Sequence, residues 1–260
     1  MTLAGFINGC KLTDRDVKTT KVVLNGAGAA GIACVKLIHN YGVPKENIVI
    51  CDTKGVIYKG RTAGMNKWKE EFANDTEART LKEALAGADC FIGVSAADLL
   101  NREDVAKMND GPLIFAMANP NPEIRPDEAR AGRPKAIIGT GRSDYPNQIN
   151  NVMCFPFLFR GALDTRATEI NEAMKLAAAN ALAELAREEV PFEVQAKYEG
   201  REFHFGRDYI IPTPFDPRLL YVVSKAVAQA AMDSGVAKHQ ITDWNEYKHY
   251  LQLRTYKTTY

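Results

Sequence analysis

The sequence predicts an α/β chain built on a doubly wound parallel sheet, with additional helices toward its carboxyl end. Two observations carry that expectation. Short, apolar, β-branched runs alternate with helix-patterned segments from residue 21 to about residue 141. The runs are continuously apolar rather than alternating, as strands covered on both faces must be.

The elements follow in order. "MTLAGFINGCKL" opens the chain with Leu3, Phe6, Ile7 and Cys10 at helical spacing. The stripe starts almost at the initiator methionine, with only Thr2 as a cap, so we expect a chain cut from something longer. Its apolar side is then expected to promote self-association. "KVVLN" (21–25) reads as a strand and Ala29 to Tyr41 as the helix after it. "NIVICD" (47–52) is a second strand, ending on an acid. Helices are expected over 65–74 and 80–89, with strands "CFIGVS" (90–95), "PLIFAMAN" (112–119) and "AIIGTG" (136–141). "REDVAKMN" is a short helix between two of these strands. "NPEIRPDEARAG" holds another that opens with proline near its first turn. The remainder reads as helices over 167–189, 217–235 and 243–253, closed by a polar tail, "RTYKTTY".

Composition narrows the function classes. The 260 residues are 46% hydrophobic and 25% charged, with net charge +1. This balance gives no reason to expect nucleic acid or an anionic membrane surface as partner. Apolar stretches break well before the ~20 residues a bilayer span requires. The five cysteines are scattered and form no C-x-x-C pair; Cys34, Cys51 and Cys90 lie in apolar runs, where a thiol packs as a small hydrophobe. Reduced, buried cysteines in a cytoplasmic protein are expected.

Gly26-Ala27-Gly28-Ala29-Ala30-Gly31 stands between the first strand and its helix and matches G-x-G-x-x-G. The first glycine permits a tight turn, the second clears space for a pyrophosphate, and the third lets helix and strand pack closely. Unpaired N–H groups at the helix start then favour the phosphates. Asp52 ends the next strand, where an acid accepts hydrogen bonds from a ribose diol. The expected fold is therefore of the Rossmann type. Residues 1–20 form a leading remnant helix, 21–165 the dinucleotide-binding core, and 166–260 a helical part packed on the same domain. NAD and NADP both remain open: Asp52 repels a 2′-phosphate, while Thr53, Lys54, Lys59 and Arg61 lie close behind to receive one.

Ligands of such sheets lie beyond the carboxyl ends of the strands. Those ends carry "GVSAAD" (93–98), "MANPNPEI" (117–124) and "GTGRSDYPNQINN" (139–151). Ser95 and Ala96 are small, as a cofactor-lining loop requires. Asn119 and Asn151 are carboxamides able to donate to and accept from a substrate. Asn-Pro and Pro-Asn also build turns in their own right.

The segments "LNGAGAAGIACVKLI", "CDTKGVIYKGR", "ANPNPEI", "GTGRSDYPNQINNVMCFPFLFRGALD" and "YIIPTPFDPRLL" together resemble the malic enzymes of the bacterial type. The resemblance implies oxidative decarboxylation of malate to pyruvate with NAD or NADP and a divalent metal, Mg²⁺ or Mn²⁺, in a homo-oligomer. By motif match, Gly26, Gly28 and Gly31 would hold the pyrophosphate and Asp52 the adenosine ribose. Asn119 and Asn151 would sit over the nicotinamide and contact malate. The family's proton-transfer residues and metal ligands lie in an amino-terminal domain that would precede residue 1, so no catalytic or metal residue is assigned here. Asp127, Glu128, Glu188 and Glu189 read as solvated helix acids, and the four histidines stand alone. Alternatives are a stand-alone dinucleotide-sensing module, or another dehydrogenase of the amino-acid or shikimate type.

Overall fold

A computed structural model describes residues 1–198 and 201–256; the polar tail from residue 257 lies outside them. Six strands form one sheet in the order β3-β2-β1-β4-β5-β6. They are β1 (Val22–Asn25), β2 (Ile48–Asp52), β3 (Gly55–Val56), β4 (Cys90–Gly93), β5 (Leu113–Ala116) and β6 (Ile137–Thr140). All neighbours pair in parallel except β2 and β3, a short antiparallel return that periodicity does not reveal. Residues on β1, β4, β5 and β6 are buried along their whole length, which accounts for the unbroken apolar runs.

The chain divides into two compact units. The first holds Thr2–Ile149 and takes back Gly206–Ile210; the second holds Met1, Asn150–Phe205 and Ile211 onward. The first unit therefore closes earlier than the 165/166 division drawn from the sequence. Asn147 supplies a physical reason. Its amide donates to the carbonyls of Ile138 and Arg207 and accepts the Ile210 N–H at 2.8 Å, tying both segments to the sheet edge.

Helix α1 (Thr2–Leu12) packs within this unit on β5. Leu3, Phe6 and Cys10 are buried, and a side chain at Gly9 would strike Leu113. The expectation that this face stays open for self-association is therefore corrected: the sheet covers it. Helix α2 (Ala29–Tyr41) matches its expected span.

The helices expected over 65–74 and 80–89 shrink to α3 (Lys67–Glu70) and α4 (Leu81–Ala84). Asn66 caps α3, and the buried Phe72 and Asn74 then pull the chain out of helix and into the unit. A Thr80–Glu83 capping box starts α4, and Gly87 turns the chain toward β4 at φ +68. α5 (Arg102–Ala106) and α6 (Pro126–Gly132) complete the unit.

The second unit contains α7 (Phe155–Asp164), α8 (Glu172–Leu185), α9 (Phe192–Ala196), α10 (Arg218–Asp233) and α11 (Trp244–Tyr256). Helix α7 went unforeseen, with Pro156 at its start. Gly161 lets α7 approach α10, where a side chain would meet the Ser224 carbonyl. Tyr247 of α11 donates to Asp164, which Arg160 also holds. No helix among the described residues is long and apolar enough to cross a membrane.

All five cysteines are free. Cys10, Cys51 and Cys90 are buried, whereas Cys34, expected inside, is only half-buried on α2.

Candidate functional site

The glycine turn divides its labour among three positions. Gly26 has φ +117, and a Cβ there would stand 2.6 Å from the Val94 carbonyl oxygen. At Gly31 a Cβ would lie 1.9 Å from the Gly26 carbonyl oxygen, so helix and turn touch. At Gly28 nothing comes within 4 Å. Gly28 is also the N-cap of α2, and no side chain caps that helix. The first and third glycines are required by the protein itself; the second leaves room for something else.

That room is a cleft of about 590 Å³. Asn25, Gly26, Ala27, Gly28, Asp52, Thr53, Lys69, Leu81, Val94, Ser95, Ala96 and Leu99 line it. Its position beyond β1, β2 and β4 is where a parallel sheet takes ligand. A second cavity of about 460 Å³ adjoins, lined by Ala27, Gly28, Ala29, Ile32, Ala33, Lys36, Asn66 and Trp68. Of the residues singled out in the sequence, Gly26, Ala27, Gly28, Asp52, Thr53, Ser95 and Ala96 thus share one cleft. Ala29 reaches only the neighbouring cavity. Ala30 is exposed on the first turn of α2, and Gly31 is packed beneath it.

Asp52 is engaged on every side. Arg61 Nη2 donates to both carboxylate oxygens, at 2.7 and 2.8 Å. Lys69 Nζ donates to Oδ2 at 2.7 Å, and the Lys54 amide to Oδ1 at 2.8 Å. Burial on its own would raise the Asp52 carboxyl. The Lys69 and Arg61 hydrogen bonds and the Lys54 amide outweigh it, so the group sits below its ordinary value. Arg61 is not a free phosphate receiver as the sequence suggested. It is buried, with Nε on the Ala63 carbonyl and Nη1 on those of Gly55 and Val56. Lys69, which the sequence reading passed over, lines the cleft instead. Lys54 contributes its main chain to Asp52 and is absent from the cleft lining.

Ser95 Oγ accepts from Asn25 Nδ2 at 2.7 Å, joining the ends of β4 and β1. Behind it lies Glu123, another residue not singled out earlier. Its side chain is fully buried, and burial pushes its carboxyl above the usual range, against the pull of the Ser95 and Ala118 amides. An acid directly after Asn-Pro-Asn-Pro at a strand end was the available signal. Asn119 is exposed beyond β5, its carboxamide lying against Gly141. Asn151 is exposed in the second unit, at the start of a short 3₁₀ turn, Asn151–Met153. Among the described residues no group of three or more His, Cys, Asp or Glu could hold a metal ion.

Comparison with known proteins agrees with this geometry. Residues 1–196 match the family model "Malic enzyme, NAD binding domain". An NADP-dependent malic enzyme of Rhizobium meliloti is 58% identical over 251 residues, 96% of this chain and 33% of that protein. An NAD-dependent malic enzyme of the same organism is 51% identical over 94% of this chain and 32% of its own length. The crystal structure of malic enzyme from Pyrococcus horikoshii Ot3 superposes with TM-score 0.84 at 31% identity, covering 99% of this chain and 58% of that one. The chain spans about a third of the length of these curated relatives. With a Rossmann-type sheet, an open glycine turn and this match over most of its length, the chain belongs to the malic enzyme family as its NAD-binding domain.

Proposed function

We propose that this chain binds NADP for an enzyme that oxidatively decarboxylates (S)-malate to pyruvate and CO₂. The observation that carries the cofactor choice is the state of Asp52. With both oxygens taken by Arg61, Lys69 and the Lys54 amide, it has little capacity left for a ribose diol. Two cations against one carboxylate leave this corner of the cleft net positive. A 2′-phosphate, carrying about −1.5 to −2 charges, suits that corner better than a neutral hydroxyl. Lys69 Nζ donates to Asp52 and Gly64, which leaves a third hydrogen for a phosphate oxygen.

The bound dinucleotide supplies the hydride acceptor. The chain's own residues bind and orient it. Gly28 leaves the approach for the pyrophosphate open, and the uncapped start of α2 favours its charge. Leu81, Val94 and Leu99 offer apolar walls. Asn119 and Asn151 are each proposed to contact malate through their carboxamides, which position substrate without moving protons. The resemblance assigns the metal and the proton-transfer residues to another domain. The chain's part is therefore cofactor binding and orientation.

Calorimetric titration of the purified chain with NADP and NAD separately tests the reading. NADP is expected to bind about tenfold more tightly or better. Equal affinities, or a preference for NAD, would overturn the cofactor assignment, and no binding of either would overturn the site.

A further inference from the structure

We infer that Glu123 is a positioning residue for the bound dinucleotide, its carboxylate holding the loop after β4 in fixed register with the loop after β5. The inference rests on the cofactor reading above and adds a residue to it.

The geometry is that of a two-pronged tie. Glu123 Oε1 accepts the Ser95 N–H at 3.0 Å, and Oε2 accepts the Ala118 N–H at 3.1 Å. Ser95 lies in the cleft-lining loop after β4, next to Val94; Ala118 immediately precedes Asn119 after β5. Main-chain bonds reinforce the register, from the Asp98 N–H to the Pro122 carbonyl and from the Leu100 N–H to that of Glu123. Space for the carboxylate is reserved by Gly93, the last residue of β4. A Cβ there would fall 2.3 Å from the Glu123 carboxyl carbon.

A buried carboxyl is a costly way to fill space. Among the described residues no cation pairs with it, so two main-chain amides, aided by the Ser95 hydroxyl at 3.5 Å from Oε1, compensate its desolvation. A leucine would pack there at less expense but would leave two N–H groups unmet. Neither would glutamine serve. Its amide offers one acceptor and turns an NH₂ toward the second N–H donor. The chemistry of the two donors asks for a carboxylate.

Sheet order says which part of the ligand the tie serves. The glycine turn follows β1; Asp52 ends β2 on one side of it, while β4 and β5 lie on the other. A dinucleotide pinned by its pyrophosphate at β1, with its adenosine over β2, must run its nicotinamide half over the ends of β4 and β5. Glu123 therefore governs the nicotinamide half.

The test titrates the purified chain and its Glu123→Gln variant with two probes, NADPH and 2′,5′-ADP, which lacks the nicotinamide half. NADPH binding is also followed by its nicotinamide fluorescence. The variant is expected to lose about tenfold in NADPH affinity, as one unmet buried donor costs on the order of that factor. The fluorescence enhancement should fall with it, and 2′,5′-ADP affinity should stay within about twofold. Glu123→Asp, one methylene shorter, reaches only one amide and should shift both readouts the same way. This second variant decides the matter if Glu123→Gln does not fold. Equal losses for both probes would mean that Glu123 merely supports the fold, and unchanged NADPH binding would mean that the register does not matter; either overturns the inference. A wild-type chain that bound neither probe would instead overturn the cofactor site.

Discussion

Arg61 grips both carboxylate oxygens of Asp52, and spends the rest of its guanidinium on the carbonyls of Gly55, Val56 and Ala63. The acid that ends β2 is thereby built into the β2–β3 return. Its negative charge is answered inside the protein, and the cleft meets Lys69 as the responsive group.

Lys69 should accordingly set cofactor choice. Lys69→Gln is expected to weaken NADP binding by about ten- to a hundredfold, the range of one hydrogen bond to a charged group. NAD binding should change by about twofold or less. Parallel loss of both cofactors in calorimetry would show that Lys69 acts on the fold and not on the 2′-phosphate.

The second and third glycines of the turn should fail in different ways. Gly28→Val points into open space and should leave the thermal midpoint nearly unchanged while abolishing dinucleotide binding. Gly31→Ala drives a methyl into the Gly26 carbonyl and should destabilise the chain by about 1–3 kcal/mol. Melting curves and titrations on both variants check the contrast. Retained affinity in Gly28→Val would contradict the pyrophosphate assignment.

Asp52 gives the pH dependence a sign. Its folded pKa lies below the ordinary value, so its contribution to stability is complete above the usual carboxylate range and lost as pH falls through the folded value. Asp52→Asn should cost about 2 kcal/mol at neutral pH, by breaking charge-assisted bonds that are largely buried. The gap between variant and wild type should then close below about pH 4. A gap that stayed constant down to strong acid would mean that the carboxylate is not the stabilising species.

Thiol chemistry should sort the cysteines. Burial pushes Cys10 up to about 11 and Cys51 up to about 12, and raises Cys90 well above its ordinary value. Cys154 is also raised by burial. Iodoacetamide on the native chain should therefore label Cys34 first, with Cys10, Cys51 and Cys90 protected until denaturant is added. Peptide mass spectrometry reads the order directly. Early labelling of Cys51 would mean that β2 opens locally.

The sequence by itself determined the parallel α/β architecture, the span of α2, and the glycine turn with an acid one strand away. Those features are local: a strand buried on both faces must be apolar throughout, and a tight turn must lack side chains wherever it sits. Tertiary structure decided what the acid does. Arg61 and Lys69 lie nine and seventeen residues beyond Asp52, at distances along the chain that no strand or helix period links. It also decided the partners of Glu123, whose two amides come from different strand ends. Phe155, Phe159 and Leu163 recur every four residues, a helical signal for α7 that was overlooked, yet they stay exposed, whereas Leu3 and Phe6 at the similar spacing of α1 are buried. Periodicity marks a face as apolar. Only packing fixes what meets it, because burial and charge pairing are set by neighbours distant in the chain.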